Sequence, residues 1–133
     1  MKITLLSDDA IRLEATPGML TIEAESESQS FSPFHMMAGG LAVCTYSVLH
    51  SWASHAKVGV EDLSVDVRWA FAEDPHRVGS YEVVLHWPSL PAERHTVAKR
   101  VAELCAVKQT FSHPPTVTME IHGGAGHGQG AAA

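Results

Sequence analysis

Cys44 and Cys105 are the two cysteines of this sequence, and they form no Cys-x-x-Cys motif. A thiolate on one of them could attack the O–O bond of a hydroperoxide and become a sulfenic acid. The other could condense with that acid to a disulfide. Two inert core thiols are the other reading, since free cysteine is among the residues most often buried. Cysteine usage alone leaves both open. A working thiol must be a thiolate, which requires a neighbouring cation or donor. Arg12, Arg68, Lys108 or a charged histidine could supply one. Lys108 stands three residues after Cys105, where it could favour a thiolate or snorkel its ammonium to the rim.

Other chemistries find little support. The nine histidines are spread singly, His50 and His55 are five apart, and there is no His-Glu-x-x-His, so no metal site is expected. There is no glycine-rich phosphate loop, no Gly-x-Ser-x-Gly and no carboxylate pair placed for glycoside chemistry.

The elements that would position the thiols follow from periodicity. Lys2 to Leu5 reads as a short strand, and Ile11–Ala15 and Met19–Glu23 as a hairpin around Thr16-Pro17-Gly18. Ser32-Pro33 opens a helix of roughly 25 residues that ends near Gly59 and has no charged side chain from Ser32 to Ala56. Cys44 falls in its middle, beyond the first turn where the helix dipole acts. Gly39-Gly40 cost helix stability unless another backbone approaches closely, from the second helix or a sister subunit. Leu63–Phe71 alternates, Tyr81, Val83, Leu85 and Trp87 repeat the period of two, and the two runs form antiparallel strands. Pro91, with Ser89 or Leu90 near the cap, begins a second helix that places Val97, Val101, Leu104, Cys105 and Lys108 on one face and stops before Pro114-Pro115. Thr116–Ile121 is a last strand.

This order predicts a single α+β domain over residues 1–121, antiparallel sheet wrapping the apolar helix, followed by a Gly/Ala-rich tail over 122–133. With 133 residues, 45% of them hydrophobic and 18% charged, the chain can build its own core. A net charge of −6 with no basic stripe argues against nucleic acid and anionic membrane as partners. Ser47, His50, Ser51, Ser54 and His55 argue for a buried helix rather than a membrane span. The N-terminus lacks a secretory pattern, so a cytoplasmic location is expected.

Ser32-Pro33 followed by MMAGGLAVCT, then VGVEDLSVDVRWAF, then VAKRVAELCAVKQTF before a last strand, resembles the OsmC/Ohr family of thiol-dependent peroxidases over about residues 9–121. The resemblance implies an intertwined homodimer with curved antiparallel sheets around two central helices and active sites at the dimer interface. It implies Cys44 as the peroxidatic cysteine, Cys105 as the resolving one, organic hydroperoxides as substrates, a dithiol as reductant, and no cofactor or metal. The family's glutamate after Ser/Asn-Pro is replaced here by Phe34 and His35. Its arginine position falls near Asp9, with Arg12 as a loose substitute, and its Pro-x-Ser after the second cysteine is Ala106-Val107-Lys108. His35 is a further candidate to stand beside the thiol, although a straight helix separates it from Cys44 by about 13 Å. Without the activating pair, a weak peroxidase is expected, or a catalytically silent dimer holding a small hydrophobic ligand near Phe34, Met36, Met37, Tyr46 and Trp52.

Overall fold

A computed structural model of the chain describes the backbone of residues 2–7 and 10–14 and the whole of residues 32–124. The first strand, β1 (Lys2–Ser7), pairs antiparallel with β2 (Ala10–Glu14), Thr4 standing opposite Arg12. The expected hairpin turn at Thr16-Pro17-Gly18 and its second arm lie outside the described residues.

Helix α1 (Pro33–Ala56) starts as its sequence dictates. Ser32 is extended, its hydroxyl accepts the His35 N–H, and Pro33 occupies a position that needs no donor. His35 takes the place a glutamate or glutamine usually holds in such a box, its Nδ1 accepting the Ser32 N–H at 3.3 Å. The helix ends on Lys57, which adopts the left-handed conformation, φ 56°, and donates its N–H to the Ala53 carbonyl. The stop therefore comes two residues before the glycine expected to provide it. Ala38, Leu41, Thr45, Leu49 and Ala53 form one buried stripe at spacings of three and four. Met36 and Met37 lie outside that stripe and are exposed. The expectation of a helix buried on most faces holds within one chain only along the stripe. Among the described residues, no helix is long and apolar enough to cross a membrane.

Strands β3 (Ser64–Ala72) and β4 (Arg77–His86) form the antiparallel pair that the alternation required, with Val65 opposite Leu85, Val67 opposite Val83 and Trp69 opposite Tyr81. The register slips at Gly79, where a Cβ would lie 2.6 Å from that of Ala72, so the bulge needs glycine. Helix α1 packs on this pair and on the C-terminal helices. Leu49, Ala53, Leu63, Trp87 and Ala98 make the core, and Trp87 anchors it by donating its indole N–H to the Gly59 carbonyl at 2.9 Å.

The second half departs from the sequence reading in two places. Instead of one helix, residues 92–112 form a 3-10 turn (Ala92–Arg94), α2 (His95–Ala102) and α3 (Ala106–Ser112). Ser89 caps none of these; its N–H and hydroxyl both bond the Asp62 carboxylate at 2.7 Å. The break takes Leu104 and Val97 off the expected common face, at 69% and 40% exposure, while Ala98 and Cys105 are buried. The second departure is Thr116–Ile121, which forms no strand. A strand exists only by its ladder, and no described strand of this chain lies alongside. Val117, Met119 and Ile121 are 75%, 82% and 89% exposed.

Candidate active site

The break between α2 and α3 decides where the second sulfur goes. At Leu104 and Cys105 the α-helical bonds give way to tighter ones, to the Val101 and Ala102 carbonyls, and the Gln109 side chain spans the break by donating to the Glu103 carbonyl at 2.8 Å. Cys105 then caps α3. Its backbone is extended, φ −52° and ψ 123°, and its sulfur accepts the Lys108 backbone N–H at 3.4 Å. The sulfur is fully buried against α1, 4.0 Å from the Leu41 carbonyl.

Cys44 comes to the same place from the middle of α1. It is half-buried, and it stands close enough to Cys105 for each thiol to shift the other's proton affinity. Both thiols are free. The pair therefore meets within one chain, which the sequence could not establish. Thr45, 3% exposed, completes the cluster, its hydroxyl donating to the Leu41 carbonyl at 2.7 Å.

The two sulfurs differ electrostatically. Burial pushes the Cys44 thiol up, and the neighbouring Cys105 adds to the shift; N–H groups of Val107 and Ala106 offset part of it. Burial also acts against a thiolate on Cys105, but there it is outweighed by the donors that surround the sulfur: the Cys44 thiol, the Lys108 N–H, the Thr45 hydroxyl and the Val107 N–H. The Cys105 thiol is held below its ordinary range. The first proton lost by the pair leaves its charge on Cys105.

The remaining candidates fall elsewhere. Lys108 is beside Cys105, but the group that touches the sulfur is its backbone N–H rather than its ammonium. His35 stays at the start of α1, 2.8 Å from the Ser32 hydroxyl and edge-on to Trp69, and does not join the cysteines. Arg12 is described only as the strand partner of Thr4, and its side chain lies outside the described residues. Thr45 was missed by sequence reasoning. The available signal was a hydroxyl within the apolar stripe of a helix, a group that must find a partner when buried.

A cavity of about 780 Å³ opens between α1, β4 and α3, beside the cysteine cluster. Phe34, Met37, Leu41, Tyr81 and Phe111 supply its apolar walls, and Lys108 lines it too. Tyr81 stacks on Phe111 at 5.1 Å, and its buried hydroxyl has no hydrogen-bond partner among the described residues. Of the ligand neighbourhood expected from sequence, Phe34 and Met37 line this cavity. Met36 is exposed, Tyr46 stacks near His50 on another face, and Trp52 packs against Trp87 in the core. Among the described residues no cluster of three His, Cys, Asp or Glu side chains is arranged to hold a metal ion.

No curated protein matches the sequence. Two crystal structures share its fold. One is an OsmC-like hydroperoxide resistance protein from Jannaschia sp. CCS1, with TM-score 0.59 and 23% identity over 83% of this chain and 77% of that one. The other is named as an osmotic stress induced and detoxification response protein from Psychrobacter arcticus 273-4, with TM-score 0.56 and 21% identity over 63% of this chain and 62% of that one. A sequence model of the family described as OsmC-like protein matches residues 25–120, a span that holds both cysteines and every element from α1 to α3. The chain belongs to the OsmC-like family.

Proposed function

We propose that this chain is a two-cysteine peroxide reductase acting on organic hydroperoxides, working as a homodimer. The observation that carries the reading is the close pair of free thiols, Cys44 half-buried and Cys105 enclosed, each shifting the other. The Cys44 thiolate attacks the distal oxygen of the hydroperoxide, the O–O bond breaks, and the alkoxide leaves as an alcohol after taking up a proton. Cys44 is then a sulfenic acid. The Cys105 thiolate attacks its sulfur, the S–S bond forms, and hydroxide departs as water. Two electrons from an external dithiol restore both thiols. The hydroperoxide resistance named for the Jannaschia protein fits this chemistry. The raised Cys44 thiol makes the first step slow at neutral pH, in keeping with the missing Arg/Glu pair.

The test is intact mass and free-thiol count after one equivalent of cumene hydroperoxide, with residual peroxide assayed alongside. Loss of both thiols, two hydrogens gone from the mass and peroxide consumed is the expected result. Two intact thiols and untouched peroxide would sink the reading.

Homodimerisation is supported by what the described residues leave bare: the apolar side of 117–121, Met36 and Met37, and Gly40, whose missing Cβ would meet no described atom within 4 Å. Among the described residues the second helix does not approach at Gly40, so the position is open to a sister subunit. Light scattering is expected to return twice the chain mass, and Met119→Asp to shift it toward one.

A silent ligand-binding dimer is the second reading, favoured by one observation: neither cysteine lines the 780 Å³ cavity. Uptake of a hydrophobic fluorophore by the Cys44→Ser protein, without any peroxide consumption by the parent, would favour it.

A further inference from the structure

We infer that the Thr45 hydroxyl is a positioning group for Cys105, turning from the Leu41 carbonyl to the Cys105 sulfur when that sulfur carries its charge. The inference rests on the two-cysteine reading for what the charged sulfur then does, but its test does not need turnover.

Three polar atoms converge here. Thr45 Oγ1 lies 2.7 Å from the Leu41 carbonyl oxygen, and Cys105 Sγ lies 4.0 Å from the same oxygen. Thr45 and Cys105 are 3% and 0% exposed, so bulk water competes little for either, although Thr45 borders the cavity. While Cys105 is a thiol, both S–H and O–H point at one carbonyl, whose two lone pairs can accept both. Once Cys105 is deprotonated it can only accept. A buried anion without donors is costly, so its donors decide whether it exists. The Lys108 N–H is a fixed one at 3.4 Å. The Thr45 hydroxyl is a rotatable one, bonded to Leu41 here, and its nearness is among the causes that hold the Cys105 thiol down. The titratable group facing Cys105 from α1 is Cys44. Lys99 and Glu103 of α2 and Lys108 of α3 line the adjoining cavity.

In the reaction, Thr45 transfers no proton. It keeps Cys105 deprotonated and aimed while Cys44 becomes a sulfenic acid, so that the S–S bond forms without waiting for a base. Threonine is suited to this, since its β-branch limits it to few rotamers in a helix, one of which bonds the carbonyl one turn back, while its O–H can swing between two acceptors.

The experiment is an ultraviolet thiolate titration in the Cys44→Ser background, where Cys105 is the one thiol left. Thr45→Val should raise the midpoint by about one pH unit, leaving roughly tenfold less thiolate at neutral pH, while Thr45→Ser should keep it near the parent. Thr45→Ala guards against a packing defect specific to valine and should match Thr45→Val. An unmoved midpoint in both Val and Ala variants overturns the inference. So does a Ser variant that shifts as far as they do. In the protein with both cysteines, sulfenic acid on Cys44 should persist about tenfold longer in Thr45→Val at neutral pH, with the difference shrinking as pH rises. Failure of the peroxidase reading would appear as no sulfenic acid at all, with the titration result still standing.

Discussion

The two cysteines are the same residue type, stand close enough to influence each other, and are nonetheless opposite in character. Cys44 sits inside a 24-residue helix whose backbone N–H groups are already bonded to carbonyls one turn back. Cys105 sits at the start of a new helix, where the first N–H groups have no carbonyl and turn to the sulfur instead. N–H groups at the start of α3 reach both sulfurs, so what separates the two thiols is their mutual contact, which lowers Cys105 and raises Cys44, together with Thr45 beside Cys105: the more deeply buried sulfur is the one held as the better thiolate. A resolving sulfur poised beside a sluggish but accessible attacker predicts slow capture of peroxide and fast closure of the disulfide.

The largest effect should come from breaking the pair itself. Cys44→Ser should abolish peroxide consumption, a loss of at least about a hundredfold, or roughly 2.7 kcal/mol of barrier. Cys105→Ser should allow a single turnover and leave a sulfenic acid, detected as one added oxygen by mass and by dimedone adduction. If Cys105→Ser were as dead as Cys44→Ser, the roles assigned to the two regions would be wrong.

A second, smaller effect concerns pH. The Cys44 thiol is raised, so its thiolate fraction at neutral pH is small and grows with pH. Its oxidation rate should therefore keep rising beyond the range in which an ordinary thiol has levelled off. Removing Cys105 takes away its sulfur hydrogen bond and its negative charge, both of which raise Cys44, although burial, the larger cause, remains. Sulfenic acid formation in Cys105→Ser should accordingly be faster than in the parent at neutral pH, by roughly threefold to tenfold, with the profile displaced toward lower pH. Stopped-flow peroxide decay across pH reads both. A displacement toward higher pH would contradict the electrostatic account.

How much of this was legible depended on which signals were local. Ser32-Pro33 announces a helix start through chemistry contained in four residues, and α1 begins there. The alternation from Leu63 to Trp87 likewise produced its hairpin, because one buried face fixes a period of two. The break at Cys105 had no local announcement, since residues 92–113 contain neither glycine nor proline. It depends on contacts distant in sequence: the Leu41 carbonyl and Cys44, sixty residues earlier, against which Cys105 packs. Thr116–Ile121 shows the reverse. Its alternation is a genuine strand signal, but a ladder needs a second strand, and a single chain's periodicity says nothing of where that strand comes from. Pairing Cys44 with Cys105 followed from family likeness, whereas the difference between them follows only from geometry.

The third effect is stability alone. Ser32→Ala removes the hydroxyl that caps α1 and the box with His35, and should cost about 1 kcal/mol by denaturant titration. It should leave thiol reactivity untouched, because that start lies about three turns from Cys44. The sulfur-capped start of α3 makes the contrasting case.

Gln109→Ala removes the bond that spans the break to the Glu103 carbonyl. The site is exposed, so the loss in stability should be small, about 0.5 kcal/mol. The informative readout is the reactivity of Cys105. If the spanned break holds that sulfur in its enclosure, loosening it should expose Cys105 more often. In the Cys44→Ser background, alkylation by iodoacetamide should then be several-fold faster in Gln109→Ala than in its parent. Ser32→Ala, although costing more stability, should not change that rate. Equal acceleration by the two substitutions would mean that Cys105 is reached through general loosening of the fold. Acceleration by Gln109→Ala alone would locate its control in the break between α2 and α3.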